Sequence, residues 1–151
     1  MIIKSLEHLN LISEQIANQL KKSDCIFLVG EIGTGKTTFT RSIINYLRKK
    51  EKKNEVDVLS PTFNLLYEYE LTNYKIMHYD LYRLKSTKEI EQLGIFNDNK
   101  DSIKIIEWPE LIKESVENKI EFKFSYMKKI NERKMEYLGY GRWKHFKIDE
   151  L

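Results

Sequence analysis

The sequence predicts an α/β fold: one domain over residues 1–151, a mixed central sheet flanked by helices and ending in a C-terminal antiparallel hairpin. Three observations predict it. The apolar run Cys25-Ile26-Phe27-Leu28-Val29 leads into a glycine-rich turn and then an amphipathic stretch, so a strand feeds a helix through a tight loop. Two β-rich runs flank Thr72-Asn73-Tyr74, a hairpin signal. Ile120, Phe122, Phe124 and Tyr126 alternate with Glu121, Lys123 and Ser125, the period of a half-buried strand.

Leu6, Leu9, Ile12, Ile16 and Leu20 recur at three- and four-residue steps, one face of a helix that starts near Ser5, its N-cap. Residues 24–29 form the first clear strand. From Lys36 to about Lys49 a second helix lines up Phe39, Ile43 and Leu47. Residues 51–57 are charged and loop-like, and Pro61 then restricts both itself and Ser60. Strands follow over 65–71 and 75–82. Ser86 or Thr87 caps a short helix through Leu93, with Gly94 at its end. Residues 102–107 form a strand stopped by Trp108-Pro109, and a short helix is expected to run on to Val116. The strand of Ile120 to Tyr126 turns over 128–132 and returns over 134–140. Gly139 and Gly141 are expected to loosen the chain before Arg142-Trp143.

Composition sets bounds. A hydrophobic fraction of 41% and an aromatic fraction of 12% suit a globular domain with a real core. The net charge of +3 permits contact with RNA or an acidic partner without requiring it. The densest basic run, Arg48 to Lys53, reads as a solvated helix end, where cations suit the dipole. The single cysteine, Cys25, excludes an internal disulfide and sits where a small buried hydrophobe belongs. No stretch approaches 18 apolar residues and the N-terminus lacks an h-region, so the expectation is a cytoplasmic protein with no membrane partner.

The turn after Val29 carries the chemistry. Gly30-Glu31-Ile32-Gly33-Thr34-Gly35-Lys36-Thr37-Thr38 fits G-x-x-x-x-G-K-[ST], the phosphate-binding P-loop, between a strand and a helix. The glycines let the backbone approach a ligand closely. The N–H groups from Gly33, Thr34 and Gly35 through Lys36, Thr37 and Thr38 then form an anion cradle at a helix N-terminus. Lys36 is expected to reach the β- and γ-phosphates and the Thr37 hydroxyl to ligate Mg²⁺. Thr38 reads equally as a phosphate donor or an ordinary first-turn threonine. The domain is thus a P-loop NTPase.

Such a site also needs hard oxygen ligands and a group that orients the attacking water or acceptor. Asp80 ends one strand and Glu107 another, where ligands gather at the carboxyl ends of parallel strands. The bland alternatives are a surface acid for Glu107 and a salt bridge to Arg83 for Asp80. Thr62, after Pro61, is either a switch threonine sensing γ-phosphate and Mg²⁺ or a turn residue. The three histidines make no metal spacing; His78, two residues before Asp80, reads as packed or hydrogen-bonded, and His8 and His145 as surface residues.

The P-loop, Ser60-Pro61-Thr62-Phe63, His78-Tyr79-Asp80-Leu81-Tyr82-Arg83 and Ile106-Glu107-Trp108-Pro109 come in this order. Together they resemble the TsaE (YjeE) family, small bacterial P-loop ATPases of tRNA threonylcarbamoyladenosine biosynthesis, with matching blocks from about residue 5 to 110. The resemblance implies an ATP- and Mg²⁺-dependent accessory in modifying the adenosine next to the anticodon. It would act on a TsaB–TsaD complex and meet tRNA only through that complex. It implies that Thr62 is switch-like and that Asp80 and Glu107 form the acidic pair, with Glu107 on Mg²⁺ or the attacking water. It also implies that Trp108 packs beside the site, that Ser5–Glu7 lies near the adenine, and that Arg133 contacts nucleotide. ATP over GTP rests on the resemblance alone. Glu31 departs from the aspartate more usual there. Two other readings remain open: a small nucleoside or metabolite kinase, and a nucleotide-gated binding module with negligible turnover.

Overall fold

In the computed structural model, which describes residues 1–97 and 101–150, the glycine-rich loop joins two elements at the middle of a mixed sheet. Among the described residues the order is β1 (Ile2–Ile3), α1 (Leu6–Gln19), β2 (Cys25–Val29), α2 (Lys36–Lys50), β3 (Leu66–Glu70) and β4 (Lys75–Asp80). It continues with α3 (Thr87–Leu93), β5 (Ser102–Glu107), β6 (Lys119–Tyr126) and β7 (Arg133–Tyr140). The strands lie side by side as β1-β7-β6-β2-β5-β4-β3. The inner four, β6, β2, β5 and β4, are parallel, and β3, β7 and β1 add antiparallel edges. The mixed α/β sheet and its C-terminal hairpin agree with the sequence expectation.

Local chemistry explains the helix ends. The Ser5 hydroxyl accepts the His8 N–H at 3.1 Å and caps α1. Ser86 and Glu89 form a reciprocal capping box on α3, and Gly94 closes it with φ +60°. Arg48, Lys49 and Lys50 occupy the last turn of α2, and Arg48 Nε donates to the Asn54 carbonyl at 2.8 Å, as expected of a helix end.

Strand alternation divides the core between the two faces. Ile26 and Leu28 of β2, Ile76 of β4 and Ile103 and Ile105 of β5 pack beneath α1 and α2 with Phe39, Ile43 and Phe122. Phe39 is fully buried, edge-on to Phe122 with centroids 5.0 Å apart, a burial that contributes about 3 kcal/mol. Cys25, Phe27, Met77, Tyr79 and Ile106 point to the opposite face, where Ile90 of α3 and the stretch after β5 cover them. Burial pushes the Cys25 thiol up to about 12, which leaves it an inert apolar filler.

Three expectations change. The strand Ile2–Ile3, which pairs with Lys134 and Arg133, was not foreseen: two residues carry no period, and only β7 supplies its partner. The helix expected from Pro109 to Val116 is a single 3-10 turn, Pro109–Leu111; from Ile112 the chain is not helical. This segment must return along the length of the sheet to start β6. Eight helical residues would advance only about 12 Å, against about 20 Å for a six-residue strand. Gly139 does not loosen the chain. It lies within β7, where a Cβ would stand 2.0 Å from the Trp143 carbonyl oxygen; the turn begins at Gly141, with φ +60°.

Candidate functional site

The alternation that sorts the core also builds the site. In the β4–β5 ladder Asp80 is paired with Glu107, and both follow residues that face α2: Ile76 and His78 on β4, Ile103 and Ile105 on β5. The first turn of α2 stands over these strand ends. The Thr37 hydroxyl donates to the Glu107 carboxylate, 3.1 Å from Oε1 and 3.2 Å from Oε2. Glu107 is only 2% exposed, so it is no surface acid. Its Oε2 lies 2.6 Å from His78 Nε2, on an imidazole with no exposed surface.

Asp80 is held from the next loop. Its Oδ2 accepts the Ser60 hydroxyl at 2.6 Å and the Thr62 hydroxyl at 2.9 Å, and its Oδ1 accepts the Tyr82 N–H at 3.0 Å. These bonds, not a salt bridge to Arg83, account for the buried carboxylate. Thr62 is therefore more than a turn residue: it ties the Ser60–Phe63 loop to the end of β4.

The glycine-rich loop has the shape that the motif requires. Gly33 has φ +79° and Gly35, the N-cap of α2, has φ +111°. At Gly30, φ +149°, a Cβ would meet the Phe124 carbonyl oxygen at 2.6 Å, so β6 presses directly on the loop. Tyr126 Oη donates to the Ile32 carbonyl at the loop's tip. Lys36 is 5% exposed; its ammonium donates to the Gly30 and Glu31 carbonyls and lies 4.6 Å from the centre of the Trp108 ring. Burial holds that ammonium below the usual lysine range, while Glu107, Asp80 and Glu110 pull the other way. Trp108 adopts φ +60°, a left-handed backbone unusual for a tryptophan, and its ring lies 4.9 Å from that of Tyr82.

A cavity of about 320 Å³ gathers Gly33, Gly35, Lys36, Thr37 and Thr38 with Thr62, Asp80, Glu107 and Trp108. Two expected residues lie elsewhere. Thr34 is buried, and its hydroxyl donates to the Glu31 carbonyl at 2.7 Å. Arg133 is not in this cavity. It lines a neighbouring one of about 530 Å³ with Ser5, Leu6 and the other side of Gly33–Gly35, and its guanidinium donates to Ile130 and Glu132 carbonyls and stacks on Tyr126. Sequence reading missed Ser60 as a partner of Asp80 and Tyr126 as a brace of the loop. The two-residue step between His78 and Asp80 was the available signal that His78 shares their face.

The donor set suits Mg²⁺. One buried carboxylate and one hydroxyl offer hard oxygens at a helix N-terminus, and Mg²⁺ takes few protein ligands, filling its octahedron with water and phosphate oxygens. Asp80, its oxygens already accepting three hydrogen bonds, fits an outer role better than direct ligation.

A glycine loop between a parallel strand and the helix it opens, with carboxylates at neighbouring strand ends, defines an α/β protein of the P-loop class. The family model described as threonylcarbamoyl adenosine biosynthesis protein TsaE matches residues 3–135, and the chain belongs to that family. The tRNA threonylcarbamoyladenosine biosynthesis protein TsaE of Rickettsia conorii is 41% identical over 111 residues, covering 74% of this chain and 61% of that protein. The Aquifex aeolicus protein of the same name is 38% identical over 110 residues, covering 73% and 76%. The chain thus spans less than two thirds of the R. conorii relative. Among solved structures, Bacillus subtilis YdiB shares the fold, with a TM-score of 0.69, 21% identity, and coverage of 95% of this chain and 86% of that one. Among the described residues no helix is long and apolar enough to cross a membrane.

Proposed function

We propose that this protein is a slow Mg²⁺-dependent ATPase that serves as an accessory in threonylcarbamoyladenosine modification of the tRNA adenosine next to the anticodon. It acts in the cytoplasm on a TsaB–TsaD complex, touches tRNA only through that complex, and works as one domain over residues 1–151. One observation carries the reading: a buried Glu107 carboxylate in hydrogen-bond contact with the Thr37 hydroxyl at the N-terminus of the P-loop helix.

In this reading the N–H groups of Gly33 and of Gly35 to Thr38, with the Lys36 ammonium, hold the triphosphate, and Thr37 and Glu107 hold Mg²⁺ or its water. The metal, when bound, neutralises charge developing on the phosphoryl oxygens. Asp80 positions Thr62 and Ser60 beside the γ-phosphate. Trp108 packs against the phosphate-binding lysine. Ser5–Glu7 and Arg133 border the base and ribose side. TsaE family membership supports the pathway. The kinase alternative fares worse, because the Asp80 carboxylate already accepts hydrogen bonds from Ser60, Thr62 and Tyr82 and is poorly disposed to activate an acceptor hydroxyl.

The test is reconstitution. Added to TsaB, TsaD, threonylcarbamoyl-AMP and tRNA, the protein with ATP and Mg²⁺ should sustain multiple turnovers, and Glu107→Ala should not. Full turnover without the protein would defeat the assignment. A Glu107→Ala variant that supports turnover without hydrolysing ATP would favour a nucleotide-gated binding module.

A further inference from the structure

We propose that His78 is a positioning residue: its Nε2–H fixes the rotation of the Glu107 carboxylate so that Oε1 faces the Mg²⁺ and phosphate space. The inference rests on the ATPase reading above and extends it to a residue outside the cavity.

The terminal torsion of a glutamate is broad, so the carboxylate needs a partner that selects one orientation. Thr37 cannot select one, because its hydroxyl lies 3.1 Å from Oε1 and 3.2 Å from Oε2. His78 contacts Oε2 at 2.6 Å and breaks that symmetry. A carboxylate is an acceptor only, so the shared proton is assigned to Nε2. Nδ1 is buried without a hydrogen-bond partner among the described residues. An apolar side chain would fill this place without stranding a polar atom; what the imidazole supplies is the bond to Glu107.

The scaffold suits the task. His78 lies inside β4, opposite Ile105 of β5 and Tyr67 of β3, two residues before Asp80 and on the same face. Its ring has no exposed surface, so packing within the sheet sets its position and the carboxylate is held to the ring. Thr37 keeps its hydroxyl lone pairs for the metal while donating its proton to Glu107. One strand therefore sets both acids of the site, Asp80 directly and Glu107 through His78.

The test compares two amides. In His78→Gln the side-chain nitrogen can reach the place of Nε2 and donate to Oε2; in His78→Asn it falls short. Both are first checked for cooperative thermal unfolding. Loss of a group that hydrogen-bonds a metal-ligating side chain typically costs about 10–100-fold in metal affinity or activity. His78→Asn should lower kcat at least about tenfold while leaving the KM for ATP within about threefold. It should also raise by about tenfold the Mg²⁺ midpoint in calorimetric titration of the protein with a non-hydrolysable ATP analogue. His78→Gln should stay within about threefold of the parent in both readouts. His78→Leu carries the same expectation as His78→Asn and replaces it if that variant does not fold. The proposal is overturned if His78→Asn or His78→Leu matches the parent in both readouts, or if His78→Gln loses as much as they do. A parent protein with neither ATP hydrolysis nor a Mg²⁺ response would remove the ATPase reading itself, and this proposal with it.

Discussion

Replacing Lys36 tests the phosphate-binding proposal most directly. In the structure its ammonium makes two hydrogen bonds, to the Gly30 and Glu31 carbonyls, beneath the Trp108 ring. Both accept at the base of the loop, so the same ammonium has a short way to move to meet a phosphate. A hydrogen bond to a charged group contributes about 1.5–3 kcal/mol net. With phosphate as the acceptor both partners are charged, so the single contact should lie near or somewhat above the upper value. About 3–4 kcal/mol corresponds to roughly 150- to 1,000-fold in affinity. Stability should move less, because removing Lys36 also removes the cost of keeping its ammonium buried. Lys36→Ala should therefore weaken ATP·Mg²⁺ at least about a hundredfold in calorimetry, with thermal unfolding nearly unchanged. Lys36→Met, which keeps the aliphatic stem against Trp108, should lose as much. A normal ATP titration of either folded variant would refute the argument.

Two predictions concern the scaffold. Gly139→Ala places a Cβ 2.0 Å from the Trp143 carbonyl oxygen and 2.9 Å from its Cβ, a clash with backbone that no rotamer relieves. It should cost about 3 kcal/mol, seen as a lower denaturation midpoint at unchanged slope; a midpoint equal to the parent's would show that the 139–143 corner yields freely. Glu89 accepts the Lys85 and Ser86 backbone N–H groups, which hold its carboxyl below the usual range in the folded chain. Its contribution is therefore fully present above the ordinary glutamate range and is lost as pH falls through the lowered folded value. The stability gap between the parent and Glu89→Gln should close across that acid window, and a gap that stays constant there would contradict the capping argument.

Most of the fold was legible because its signals are local. The Ser5 and Ser86 caps, Gly94, the alternation in β6 and the strand–loop–helix of the phosphate cradle each lie within a few residues, where propensity and period act. The stretch after Pro109 was misread for the complementary reason: its local apolar pattern allows a helix, but the distance it must cover to reach β6 does not.

The sequence by itself determined which groups form the glycine-rich cradle, because it is nine consecutive residues whose spacing is their geometry. It also marked Asp80 and Glu107 as acids at strand ends. Only the tertiary structure decided that these two are neighbours in one ladder, that Ser60 and Thr62 hold the first, and that Thr37 and His78 hold the second. It also set Arg133 outside the cavity that holds Lys36 and Glu107, and Tyr126 against the loop. The physical reason is that strand order and register bring together side chains from residues 37, 78 and 107, and neither is written in any one segment; a one-residue slip of β5 would turn Glu107 to the opposite face of the sheet.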